Sequence, residues 1–161
     1  MGTPSPVYYF AYGSNMNLAD LKCWCDKNGA VVHLKNHWVA ELKDFKLAFT
    51  RYSESRKGGV ADVVRQDGSS VWGVLFETDE STLKWIDKKE DWKGDLSKNA
   101  YKRIQVEVSL KDGQKIKAVT YEVIHKGNYK PGAEYLDLIL NGGTDFGLPV
   151  EYLENLKDKF S

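Results

Sequence analysis

The chain has 161 residues, 42% of them hydrophobic and 29% charged, which is the size of one domain and not the composition of a disordered segment. Lys plus Arg and Asp plus Glu each number 23, so no net field draws polyanions or an anionic membrane, and a general nucleic-acid binder is disfavoured.

In chain order, Val7 to Ala11 reads as a buried strand between Pro6 and Gly13. Asn17 can cap a helix running to about Lys27, with Leu18, Leu21 and Cys25 on one face and Asn28-Gly29 as the stop. Strands are expected at Val31 to Val39, Phe45 to Tyr52, Val60 to Arg65 and Ser70 to Phe76. The last two flank Asp67-Gly68, a hairpin signal. Thr78 and Asp79 offer caps for a helix from Ser81 to about Glu90, and Tyr101 to Leu110 pairs with Lys115 to Val123 around Asp112-Gly113.

After Pro131, the apolar residues Tyr135, Leu136, Ile139 and Leu140 recur at helical spacing, and Asn141-Gly142-Gly143 suits a left-handed cap. Pro149 opens a last helix whose stripe is Val150, Leu153, Leu156 and Phe160. Several hairpins with helices around them predict an α+β fold: a mixed, partly closed, barrel-like sheet in a single domain over residues 1–161.

The longest apolar runs, such as Leu136 to Leu140, fall far short of the ~20 residues that span a bilayer. The opening MGTPSPVYYF lacks the basic-then-apolar order of a secretory signal, so a cytoplasmic protein without membrane partners is expected. Cys23 and Cys25 supply too few thiolates for structural zinc, and His33 and His37 lack the glutamate of H-E-x-x-H. No metal or other cofactor is expected. Aromatics such as Trp24 or Trp38 are candidate contacts in a homodimer.

Two stretches can carry chemistry. In Tyr12-Gly13-Ser14-Asn15, glycine permits close approach and consecutive amides with a helix start favour a small anion, although the same letters also describe a plain turn and cap. Glu90 falls in line with Leu83 and Ile86 at about 100° per residue, which directs its carboxylate along the apolar face and raises its basicity. Its lysine neighbours equally suit a solvated helix end. The hydroxyls of Tyr101 and Tyr135 can orient a polar substrate or simply pack.

The ordered set Tyr9-Phe10-Ala11-Tyr12-Gly13-Ser14-Asn15, Leu42 to Leu47, Val71-Trp72-Gly73-Val74, Leu83 to Glu90 and Gly147 to Tyr152 resembles the γ-glutamylcyclotransferase family. That resemblance spans most of the chain. It implies a barrel-like fold, a loop Tyr12 to Asn15 holding the glutamyl head of a substrate, Glu90 as general acid and base, and Tyr135 completing the pocket. It further implies a small γ-glutamyl amino acid or amine as substrate and 5-oxoproline as product. A glutathione-selective enzyme and a non-catalytic module binding small carboxylates are the alternatives. In the family the glutamate is commonly followed by glycine; here Asp91 and Trp92 follow.

Overall fold

The computed structural model describes residues 6–90 and 100–161; Asp91 and Trp92 lie outside them. Within the described residues the sheet closes completely, in the strand order β1-β3-β2-β4-β5. The strands are β1 (Val7–Ala11), β2 (Asn36–Ser53), β3 (Gly58–Thr78), β4 (Tyr101–Leu110) and β5 (Lys115–Val123). All neighbours are antiparallel except β1 and β5, which meet in parallel at Tyr9 and Val119 and so shut the barrel. The expected α+β class is found, with the barrel closed through short seams between β1 and β5 and between β2 and β4. Phe10, Leu42, Val63, Val71, Val74 and Val108 fill that core.

The four strands expected between 31 and 76 are two long ones. Asp67-Gly68 does not make a hairpin: Lys43 pairs with Ser70 and Phe45 with Arg65, so β3 runs antiparallel to β2 on both sides of residues 66–69. These four residues bulge out opposite Asp44, whose φ is 66°. Gly68 has φ 84°, and its N–H donates to Asp44 Oδ1 at 3.0 Å. The dipeptide's turn chemistry is used, but for a bulge that bends the ribbon. The actual reversal is residues 54–57, between the paired Ser53 and Gly58, where Lys57 takes φ 60°.

Among the described residues four α-helices pack outside: α1 (Leu18–Asn28), α2 (Glu80–Lys89), α3 (Ala133–Phe146) and α4 (Val150–Phe160). The caps of α1 and α2 are those expected: Asn17 accepts from Asp20 N–H, Asp79 from Thr82 N–H, and Gly29 ends α1 at φ 64°. Helix α3 does not stop at Gly142-Gly143; it continues to Phe146 and is capped by Gly147 at φ 82°. The paired glycines serve packing instead. A Cβ on Gly142 would lie 2.7 Å from the carbonyl carbon of Met16, and one on Gly143 2.8 Å from Leu153 Cδ2. Among the described residues no helix is long and apolar enough to cross a membrane.

Candidate active site

Strand β1 carries the buried Tyr9, stacked on Phe76, and leads into the loop Tyr12 to Asn15. Tyr12 is anchored there by its hydroxyl, which donates to the Tyr121 carbonyl at 2.5 Å. A Cβ on Gly13 would sit 3.2 Å from Ala61 Cβ and 3.5 Å from the Tyr135 hydroxyl, so glycine lets the loop close onto β3 and α3. A further turn separates the loop from α1. Ser14–Met16 form a 3-10 turn whose hydrogen bonds begin at Met16 N–H, and Asn17 then caps α1. The amides of Ser14 and Asn15, first in the turn, have no acceptor within it.

Glu90 arrives from the other side. It follows the last residue of α2, its N–H donating to Ile86 at 2.9 Å. The helix is clamped to the barrel one turn earlier: Arg103 on β4 makes a fork of two 2.7 Å bonds to Asp87, and the Tyr121 hydroxyl donates to the same carboxylate. Such bidentate pairs fix orientation as well as distance.

The two elements meet at Asn15, which is 3% exposed. Its Nδ2 donates to the Tyr9 hydroxyl at 2.8 Å and to Glu90 Oε1 at 3.1 Å, joining residues 75 apart in sequence. Asn15 Oδ1 is buried with no partner among the described residues. Burial pushes the Glu90 carboxyl above its ordinary value, against the opposing pull of Lys89, the Asn15 bond, Arg51 and Arg56. Burial likewise raises the phenols of Tyr9, Tyr101 and Tyr135, which stay protonated donors.

Around this contact lies a small, partly open cavity of about 40 Å³ lined by the loop, Glu90, Tyr9, Tyr101, Tyr121 and Tyr135. The Tyr101 hydroxyl donates to the Ala61 carbonyl and the Ala61 N–H donates to the Tyr135 oxygen, each at 2.9 Å. The expected residues Tyr12, Gly13, Ser14, Asn15, Glu90 and Tyr135 are thus brought to one place, although the Tyr12 hydroxyl is turned to a barrel carbonyl. Tyr9 and Tyr121 escaped the reading of the sequence. Tyr9 is one aromatic in a run of them, while Tyr121 breaks the in-out alternation of β5, since Thr120 beside it is also buried.

The cavity shares Ser14, Glu90, Tyr101 and Tyr135 with an outer cleft of about 610 Å³. There Asp20 on α1 accepts two 2.9 Å bonds from Arg56 and lies 3.7 Å from Lys89. Trp24, a candidate dimer contact from the sequence, lines this cleft; Trp38 is 38% exposed and packs beside Tyr8. Among the described residues no three His, Cys, Asp or Glu side chains cluster as metal ligands would, and both cysteines are free thiols.

A profile of the AIG2-like family matches residues 70–156, which include Glu90 and Tyr135. A cattle protein named γ-glutamylcyclotransferase is 34% identical over 157 residues, covering 92% of this chain and 76% of its own length. The chain belongs to the γ-glutamylcyclotransferase family. The human protein of the same name is 33% identical over 158 residues, with the same coverage of each chain. A solved structure titled γ-glutamyl cyclotransferase superposes with a TM-score of 0.80 at 30% identity, covering 95% of this chain and 87% of that one. The family membership agrees with the resemblance seen in the Tyr12 to Asn15 loop and in Leu83 to Glu90.

Proposed function

We propose that this protein is a cytoplasmic γ-glutamylcyclotransferase that converts small γ-glutamyl amino acids or amines to 5-oxoproline and the free amine. The observation carrying this reading is the Asn15–Glu90 contact, which sets a basic carboxylate against the loop in a cavity of hydroxyls.

The substrate contains its own nucleophile. Its α-amino nitrogen attacks the γ-carbonyl carbon, a five-membered lactam forms, and the bond from that carbon to the leaving nitrogen breaks. A free α-amino group has a pKa of about 7.7–8.0 and is largely protonated near neutrality, so a base must take a proton. Glu90 accepts it and returns it to the departing nitrogen. The acyl group is passed within one molecule, with elimination of an amine, as a lyase does; nothing is oxidised or reduced.

Because ring closure is intramolecular, holding the flexible glutamyl chain bent is the main task, and orientation can be worth several kcal/mol. Three groups have free capacity for that. Asn15 Oδ1, without a partner among the described residues, is an acceptor suited to the α-ammonium. The Tyr9 and Tyr135 hydroxyls each accept a protein hydrogen bond while donating none among the described residues, so both can donate to the α-carboxylate. The loop amides can polarise the γ-carbonyl, where one well-placed donor is worth about 3–4 kcal/mol in the transition state.

Incubation of the purified protein with γ-glutamyl-alanine, a γ-glutamyl amine and glutathione, followed by mass spectrometry for 5-oxoproline, tests the reading and ranks the leaving groups. Absence of 5-oxoproline from all three refutes it.

A further inference from the structure

The residue before Glu90 is a lysine, and its charge is a hazard to a base. Lys88 lies over the Trp85 ring at 4.8 Å, on the exposed side of α2. Lys89 is turned into the protein instead, with its side chain only 7% exposed, and it lines the outer cleft together with Glu90. Against the burial that raises the Glu90 carboxyl, the charge of Lys89 pulls hardest. A desolvated ammonium needs an anion, and two carboxylates compete for this one: Asp20 on α1 and Glu90 beside it in the chain.

The structure gives Lys89 to Asp20. Its Nζ lies 3.7 Å from Asp20 Oδ2, and Arg56, in the reversal between β2 and β3, forks onto both oxygens of the same carboxylate at 2.9 Å. Desolvation pushes the Asp20 carboxyl up, but the two cations outweigh it and hold it ionised, below its ordinary value. Asp20 is fixed in turn by the start of α1, where its N–H donates to the Asn17 cap at 3.1 Å. One anion thus faces two cations from two other elements, beside the cavity.

We propose that Asp20 is a positioning residue: it holds the Lys89 ammonium and keeps it from closing onto Glu90, so that the Glu90 oxygens stay available to the α-amino proton of the substrate. This rests on the cyclotransferase reading above. Without Asp20, Lys89 turns to the remaining carboxylate, fills the lone pairs that a base needs and weakens it. Nothing else facing Glu90 among the described residues takes over that duty. From β1, β4, β5 and α3 it meets the protonated phenols Tyr9, Tyr101, Tyr121 and Tyr135, while Arg51 on β2 and Arg56 add only positive charge.

The test follows turnover of γ-glutamyl-alanine against pH in the parent, Asp20→Asn, Lys89→Met and the double variant. Asp20→Asn is expected to lower kcat by about tenfold and to move its acid limb down by about one pH unit, as a cation brought onto a carboxylate does. Lys89→Met moves the limb up and keeps the plateau of kcat within about threefold, because one positive charge leaves and the base remains. The double variant returns both rate and limb towards the parent: the net charge of the cluster is restored and no ammonium is left to reach Glu90. A purely structural role for Asp20, through Arg56 and the first turn of α1, leaves the loss in Asp20→Asn uncorrected by Lys89→Met, and that failure of rescue overturns the proposal. An Asp20→Asn enzyme with the parent's kcat, or with a loss confined to KM, overturns it as well. If the parent forms 5-oxoproline from none of the three γ-glutamyl substrates above, the reaction has been misread and this inference falls with it. An active parent without rescue defeats the inference alone.

Discussion

Two carboxylates lie against this barrel under opposite conditions. Asp62, fully buried on β3, accepts from the Thr50 hydroxyl, the Val63 and Val123 amides and the Lys126 ammonium, at 2.8 to 2.9 Å. Glu90, at the end of α2, accepts from one side chain, Asn15, among the described residues. Asp62 is sealed from water and Glu90 is half-buried at the mouth of a cavity; the first has its lone pairs filled by fixed donors, whereas the second meets one side-chain donor among the described residues. Burial by itself does not make a base; burial with unused acceptor capacity does.

The sharpest way to break the comparison is to neutralise each in turn. Glu90→Gln is expected to lower turnover by about 100-fold or more while leaving the circular dichroism spectrum unchanged, since only a proton acceptor is lost. Unaltered turnover would mean that another group is the base. Asp62→Ala should act on stability instead. It strands buried strand amides and costs about 3 kcal/mol, read as a lower urea midpoint, with activity per folded molecule kept within a few-fold.

That contrast was only half legible beforehand. Glu90 stood out because Leu83 and Ile86 place it on the apolar face of a short helix and because the surrounding letters resemble a family pattern. Asp62 looks the same as any polar residue in a strand, and its partners on β2 and beyond β5 are set by register. Register is hidden at Asp67-Gly68, where a dipeptide that reverses hairpins elsewhere produces a four-residue bulge, because both flanking segments find the same partner strand. Gly142-Gly143 was misjudged for a related reason: left-handed freedom and close packing demand the same residue, and the sequence does not say which applies. The pocket's loop and carboxylate were legible, whereas Tyr9, Tyr121 and the Arg103 clamp depend on how the barrel closes.

Acidity supplies gentler tests. Burial raises Glu90 above the ordinary carboxylate value, so kcat should show an acid limb above the usual glutamate pKa of about 4.3, and Glu90→Gln should abolish it along with most of the rate. A limb at or below that value would remove the distinction from Asp62. The smallest effect is on the fold. A raised folded-state pKa stabilises the protein fully below the unfolded value, and that contribution is lost as pH rises through the folded one. Glu90→Gln should therefore melt higher than the parent at pH 8, with the gap closing by about pH 4, as followed by thermal denaturation.

The contact between Gly142 and the Met16–Asn17 backbone carries a consequence for how the chain is made. The loop is translated before β2 to β5, yet the surface that seats it belongs to α3, which follows all five strands. Until α3 emerges, Asn15 has no firm backing from which to meet Glu90. The barrel can gather strand by strand during synthesis, but its pocket waits for α3, so a chain that stalls before α3 and α4 should be folded in part and unable to hold its guest.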